Sequence, residues 1–287
     1  MMTDGKKYAV FTMDVESFSD TECVSCSGAD VGDVDMLDGL DEYIKILEKH
    51  GIKATMFTVC GTAERIRGRL TDYIERGHKI ALHGYDHTAP LLLDDKKFEE
   101  DIFRAKCRLE QMFGTEVCGY RAPCFSMDNN KLNILKQLGF KYDSSRLGFE
   151  KARHNTHIDM TGFHELLKGV FCRDGFFEFG LSCQKMFGQK FPISGGGYVR
   201  LSHWGFIKNA IDRYLKSSNF YVFYLHPFEL SRQKVPKIDN LKIYDKYYLS
   251  HGLSSYPSKI EEIILSLKRS GYSFVTFEEL TEVMAMA

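Results

Sequence analysis

The feature that most constrains this chain is a repeated alternation of short apolar runs with longer amphipathic stretches, each closed by a glycine. Residues 8–16, 54–59 and 79–82 have the length and composition of β-strands, and between them 38–50 and 61–76 carry apolar residues at helical spacing. Gly51 and Gly77 stand where those helices must stop. The rhythm continues with a helix over 94–113 closed by Gly114, a strand at 117–120, a helix over 129–138 closed by Gly139, and a strand reaching Asp143. Repeated βα units build a mainly parallel sheet, and their number suits an α/β barrel. Residues 147–205 are less regular. There 176–181 reads as a strand, and 191–200 as a glycine-rich loop without the Lys-Ser/Thr of a phosphate loop. A helix at 204–216, the strongly β-like run 220–225, a helix at 258–268 and a strand at 272–277 complete the pattern.

At 287 residues and 44% apolar the chain can bury a full core, and with no linker or internal repeat it reads as a single domain. A net charge of -1 with interspersed signs gives no electrostatic case for nucleic acid or an anionic membrane. No run approaches the roughly 18 to 20 apolar residues of a membrane span, and no signal-peptide pattern precedes residue 8, so a cytoplasmic location is expected. The eight cysteines are scattered over predicted strands and helices and are expected to be thiols. Cys23-Val-Ser-Cys26 has no second CxxC to complete a zinc site and reads as a surface loop.

Ionisable residues gather at the predicted strand ends: Asp14, Glu16, His83, His87, Arg121, Asp143 and His226. In a parallel barrel these ends share one face, where catalytic loops also lie. Each residue has a structural reading by itself, as a salt-bridged Arg or a core His bonded to a carbonyl. Five strands ending this way is harder to dismiss. If 83–87 coils into a helical turn, His83 and His87 lie on one side, and with a carboxylate they form an open-site set for a hydrolytic metal. Asp14 and Glu16, two apart on a strand, face the same side. His154, His157, His164 and His203 read as surface residues.

In order, Thr12-Met-Asp14, His83-Gly-Tyr-Asp-His87, Arg121-Ala-Pro-Cys-Phe125, Asp143-Ser-Ser and Leu225-His226 resemble the five motifs of the NodB-homology polysaccharide deacetylases, carbohydrate esterase family four. The resemblance spans residue 8 to about 280 and is weakest over 147–189. It implies a distorted (β/α) barrel of seven or eight strands and metal-dependent removal of an acetyl group from an N-acetylated sugar. The family's first motif usually carries adjacent aspartates, whereas here Asp14 and Glu16 flank Val15. A branch with this spacing also resembles Gly195-Gly-Gly-Tyr-Val-Arg200 and His226-Pro-Phe-Glu229.

Carried over residue by residue, the resemblance implies Glu16, His83 and His87 as ligands of a divalent metal, most simply Zn²⁺, with Co²⁺, Ni²⁺ or Fe²⁺ also compatible. It implies Asp14 as general base paired with Arg121, and His226 as the acid paired with Asp143. Tyr198, Arg200, Pro123 and Phe125 are the candidate substrate contacts. The expected substrate is an N-acetylated sugar or glycan precursor, nucleotide-linked or lipid-linked, in surface polysaccharide assembly. The alternatives are a deformylase or other C–N hydrolase on the same fold, a catalytically silent carbohydrate-binding protein, and an Fe(II) oxygenase, which the βα rhythm disfavours.

Overall fold

The structure, a computed structural model, describes residues 5–149 and 158–286. Its strands are β1 (Lys7–Val15), β2 (Ala54–Thr58), β3 (Lys79–Leu82), β4 (Gly119–Tyr120), β5 (Tyr142–Asp143), β6 (His164–Leu167), β7 (Val170–Arg173), β8 (Phe176–Phe179), β9 (Cys183–Met186), β10 (Gln189–Pro192), β11 (Phe220–Leu225) and β12 (Tyr272–Phe274). The main sheet runs β11-β1-β2-β3-β4-β5-β8-β7-β6. Its members from β11 through β8 are parallel, and β7 and β6 add an antiparallel extension. The long β1 takes β12 beside its first residues and β2 beside its last.

Side-chain alternation divides β1 between two cores. Tyr8 and Val10 pack inside with Phe57, Tyr142, Phe179 and Val222, while Ala9, Phe11 and Met13 face the helices through Leu40, Ile44 and Leu47. Between β8 and β11 the ring is completed by irregular chain: Leu181 N donates to Arg146 O at 3.0 Å, Ile193 N to Ser182 O at 3.0 Å, and Tyr224 N to Ser194 O at 2.7 Å. The barrel is therefore distorted on this side. The fold class expected from the βα rhythm and the motifs is the one observed.

The helices at Asp38–Lys49, Asp95–Phe113, Asn129–Gln137, Trp204–Ser217 and Tyr256–Arg269 match expectation within two residues at each end. The one expected over 61–76 is split into Cys60–Arg65 and Arg67–Glu75, because Ile66 leaves helical geometry at φ −115°, ψ 26°. The expected strand 272–277 ends at Phe274, and Thr276 instead caps a helix, Phe277–Ala285: its Oγ1 accepts from Glu279 N at 3.3 Å, while Glu279 Oε2 accepts from Thr276 N at 2.7 Å. That helix packs onto the barrel interior, with the Phe277 ring stacked 4.6 Å from Phe179. The β9–β10 hairpin and a helix at Ile243–Ser250 were not anticipated, since neither segment has a clear apolar period.

Beside Phe277, Glu278 takes a hydrogen bond from Tyr142 Oη at 2.9 Å, and burial raises its carboxyl to about 7. A group whose folded pKa is raised adds stability that is complete below its unfolded pKa, and that is lost as pH rises through about 7. Glu278→Gln removes this dependence. With the side chain partly exposed, we expect the variant to gain on the order of 2 kcal/mol over wild type at pH 8 and little at pH 4.5, read from urea unfolding at both pH values.

Candidate metal centre and its flanking acid and base

β1 ends in a tight turn in which Glu16 N donates to Asp14 O at 3.1 Å. Both carboxylates therefore reach one cavity, but into different company. Glu16 Oε2 lies 2.6 Å from His87 Nε2 and 3.7 Å from His83 Nε2. One ligand atom from each of these three residues falls within 4.8 Å of the others, all at the C-terminal ends of β1 and β3. His83 Nδ1 donates to Arg121 O at 2.7 Å, which leaves its Nε2 lone pair facing the cluster.

Residues 83–87 form a bend and not a helical turn. Gly84 at φ 86° and His87 at φ 63° fold the segment back so that the two rings converge, with centroids 5.2 Å apart. A Cβ on Gly84 would lie 3.2 Å from Pro123 Cγ, so Pro123 buttresses the histidine loop. It is not a cavity wall, contrary to its expected role as a substrate contact.

Electrostatics ties the cluster together. Burial works to raise the Glu16 carboxyl, but the charges of His87 and His226 and the close contact with His87 hold it well below the usual carboxylate range. His87 is raised despite burial, because Glu16 faces it. Two imidazoles and a carboxylate, converging with an open side to the cavity, are the donor set of an open Zn²⁺ site. The residues present therefore fit a divalent metal.

Asp14 meets Arg121, whose Nη1 bonds Asp14 Oδ1 at 2.6 Å and Thr12 Oγ1 at 2.9 Å. The guanidinium is fully buried over the Phe57 ring, with Nε donating to Ser144 O at 3.1 Å and Nη2 to Ser144 Oγ at 3.0 Å. On the other side of Asp14, His226 Nε2 lies 4.0 Å from Asp14 Oδ2, while His226 Nδ1 lies 3.3 Å from Glu229 Oε2. Burial opposes the His226 proton, but Glu16, Glu229 and Asp14 outweigh it and raise the imidazole to about 9.

The carboxylate beside His226 is thus Glu229, not Asp143. Asp143 accepts from Ser145 N and Ser145 Oγ, both at 2.8 Å, and that hydroxyl accepts from Ala122 N at 2.8 Å. It is fully buried and pairs in register with Glu178 on β8, so it braces the loop that receives Arg121. Burial raises the Asp143 carboxyl, and burial with the Asp143 charge raises that of Glu178 well above its ordinary value. Glu229 was legible as the third residue after His226 in a turn begun by Pro227, the spacing of a reciprocal cap.

Arg200 is a second correction. It is buried and its Nε bonds Glu229 Oε1 at 2.8 Å, so it holds the carboxylate that holds His226 and does not face substrate. The glycine-rich stretch before it is a helix, Gly196–Leu201, entered at Gly195 with φ 112°. A Cβ at Gly195 would lie 2.2 Å from Tyr224 O, so this glycine serves the close approach to β11. Tyr198 and Phe125, the other two expected contacts, do line the cavity, whose volume is ≈ 970 Å³. Cys23 and Cys26 also lie on its wall, with Cys23 on a short helix, Glu22–Ser25, and none of the eight cysteines is in a disulfide. His164 and His203 are exposed as expected, while His154 and His157 fall outside the described residues.

A parallel α/β barrel with a carboxylate and two histidines converging at the C-terminal ends of its strands defines a barrel protein with a candidate metal centre on its functional face. Residues 30–142 match the family described as polysaccharide deacetylase, and residues 153–282 match a domain of unknown function, DUF3473. A peptidoglycan deacetylase of Helicobacter pylori is 27% identical over 107 residues, 37% of this chain and 36% of that protein, so the match spans about a third of this relative. Among solved structures, a putative polysaccharide deacetylase from Mycobacterium smegmatis superposes with TM-score 0.60 at 19% identity, covering 98% of this chain and 91% of that one. Puue allantoinase superposes with TM-score 0.60 at 14% identity, covering 97% and 91%. The chain is thus similar to polysaccharide deacetylases over residues 30–142, and as a whole it shares the fold of a solved structure described as a putative polysaccharide deacetylase.

Proposed function

We propose that this protein is a metal-dependent carbohydrate N-deacetylase that hydrolyses the acetamide of an N-acetylated sugar, in the assembly of a surface polysaccharide. The observation that carries this reading is the division of labour at the strand ends: Glu16 joins His83 and His87, while Asp14 stands between Arg121 and His226. This favours Glu16 as ligand and Asp14 as base over the reverse. None of the eight cysteines is in a disulfide, and no helix among the described residues is long and apolar enough to cross a membrane. Both are compatible with the cytoplasmic location we propose.

Glu16, His83 and His87 would hold the ion, which when bound supplies a Lewis acid and lowers the pKa of water from about 15.7 towards about 7. Asp14, fixed by Arg121, accepts the proton of the attacking water as its oxygen bonds the acetyl carbon. His226, oriented by Glu229, gives its proton to the sugar nitrogen as the C–N bond breaks. The products are acetate and an amine, which departs neutral and not as an amide anion. An imidazole raised to about 9 still carries that proton at neutral pH.

The same fold carries an allantoinase, so the barrel alone does not choose the C–N bond. The test is acetate release by the Zn²⁺-loaded protein from N-acetylglucosamine oligomers, lipid-linked analogues and nucleotide-linked N-acetylhexosamines. Release from one class, abolished by chelation and restored by Zn²⁺ or Co²⁺, is the expected result. Stoichiometric metal with no acetate from any of them overturns the reading in favour of another C–N substrate or a silent binder.

A further inference from the structure

The near-neutral total of this chain conceals a local imbalance. Residues 232–247 carry Arg232, Lys234, Lys237, Lys242 and Lys246 against Asp239 and Asp245, a net charge of +3 in a chain whose sum is -1. Arg232 is paired with Glu42 at 2.7 Å and Lys237 with Asp239 at 3.3 Å. Lys246 Nζ donates to a backbone carbonyl, Asp239 O, at 3.3 Å. Lys234, Lys242 and Lys246 are all exposed, and none has a carboxylate partner among the described residues.

This basic stretch runs into the helix Ile243–Ser250, which is apolar on two sides. Leu249 is buried, and Tyr248 packs on Phe228 with ring centroids 5.8 Å apart. On the other side the helical period brings Ile243, Tyr244 and Tyr247 onto one face, where they are 89%, 62% and 45% exposed. The core accounts for the inner side, whereas the outer side leaves a contiguous apolar stripe in water.

The helix is fixed in this pose and placed beside the chemistry. Arg200 Nη2 donates to Tyr248 O at 2.6 Å and Nη1 to His251 O, while the Tyr247 ring stacks on His251 with centroids 4.3 Å apart. Lys242, Tyr244 and Tyr247 also line the cavity that holds Glu16, His83 and His87, so their exposed stripe stands at its rim.

The combination selects a partner. Tyrosine favours the boundary between lipid and water, where its ring is apolar and its hydroxyl wet, and flanking lysines meet anionic headgroups there. An acidic polymer in water would use the cations and gain little from Ile243. A second copy would cover the apolar stripe but bring like charges together. A negatively charged bilayer surface uses both features.

We infer that the helix Ile243–Ser250 and the basic loop before it dock this protein on an anionic bilayer surface, without spanning it, and hold the cavity opening at the lipid headgroups. Docking is read without turnover, so it stands or falls apart from the deacetylase reading.

The full chain is sedimented with phosphatidylcholine vesicles containing about 30% phosphatidylglycerol and with pure phosphatidylcholine vesicles, in about 0.1 M and about 0.5 M NaCl. Partitioning onto the anionic vesicles should exceed that onto the neutral ones at least about 10-fold, and should fall at least about 5-fold at the higher salt. Lys242→Gln with Lys246→Gln should lower it about 10-fold or more, and Ile243→Ser with Tyr244→Ser by a similar factor. Both variants change exposed side chains and should keep the wild-type midpoint in urea. Binding to neither vesicle, or equally to both, overturns the proposal. Loss in the glutamine variant with full binding by the serine variant overturns it in favour of an acidic polymer. A vesicle-free dimer that the serine variant dissociates overturns it in favour of a second copy.

Discussion

Replacing His226 by alanine lowers turnover about 10²- to 10⁴-fold with the metal content unchanged, the usual scale for loss of a general acid. His226 is not in the Glu16, His83 and His87 cluster, so metal analysis of the purified variant should equal wild type. Its Nε2 faces Asp14 across 4.0 Å, where an acid must stand to reach a nitrogen leaving the same carbon that water attacks. Glu229→Gln is the milder companion. It removes a negative charge that raises His226, so the alkaline limb of kcat/KM moves to lower pH, with a smaller loss at neutral pH. Turnover of His226→Ala within a factor of about three of wild type would discard the assignment.

The largest effect on stability is expected at Arg121. Arg121→Met keeps apolar bulk beside Phe57 but leaves the buried Asp14 without its guanidinium partner, and removes the donor that Thr12 Oγ1, Ser144 Oγ and Ser144 O accept from. Breaking a buried pair from one side costs about 3–5 kcal/mol, a large share of the about 5–15 kcal/mol that holds a typical domain. Urea unfolding of the metal-free variant measures this. A loss under about 1 kcal/mol would mean that Asp14 is solvated or neutralised by another route. Activity should fall as well, because Asp14 loses the group that aims it at the cavity.

Six of the strand-end residues singled out in the sequence, Asp14, Glu16, His83, His87, Arg121 and His226, converge in space. They were legible because a parallel barrel delivers every strand's C-terminal end to one face, so being at a strand end suffices to predict the neighbourhood. Neighbourhood is not contact. Asp143 also ends a strand, but β5 and β11 are separated by four strands along the sheet, and on the shorter way round by β8 and irregular chain. Its carboxyl turns down to Ser145. Glu229 reaches His226 because three residues of a tight turn bring it back, a local contact that the βα rhythm does not display.

Arg200 and Pro123 show the same limit. Each was a reasonable ligand contact on residue type, and each is spent on packing: Arg200 on Glu229, Pro123 against the histidine loop. A side chain's type states what bonds it can make, while its partner depends on which elements close around it.

What the sequence determined by itself was the βα order, the parallel strands, most helix limits and the set of groups on the functional face. These follow from apolar period and from glycine stops, which are properties of consecutive residues. Only the tertiary structure decided which carboxylate faces the histidines and which faces Arg121, that Glu229 and not Asp143 supports His226, and that an aromatic helix borders the cavity. The carboxylate pairings join residues up to 107 positions apart, as in Asp14 and Arg121, and arise only when the barrel closes and burial forces each charge to find a partner, whereas Glu229 is returned to His226 by a local turn.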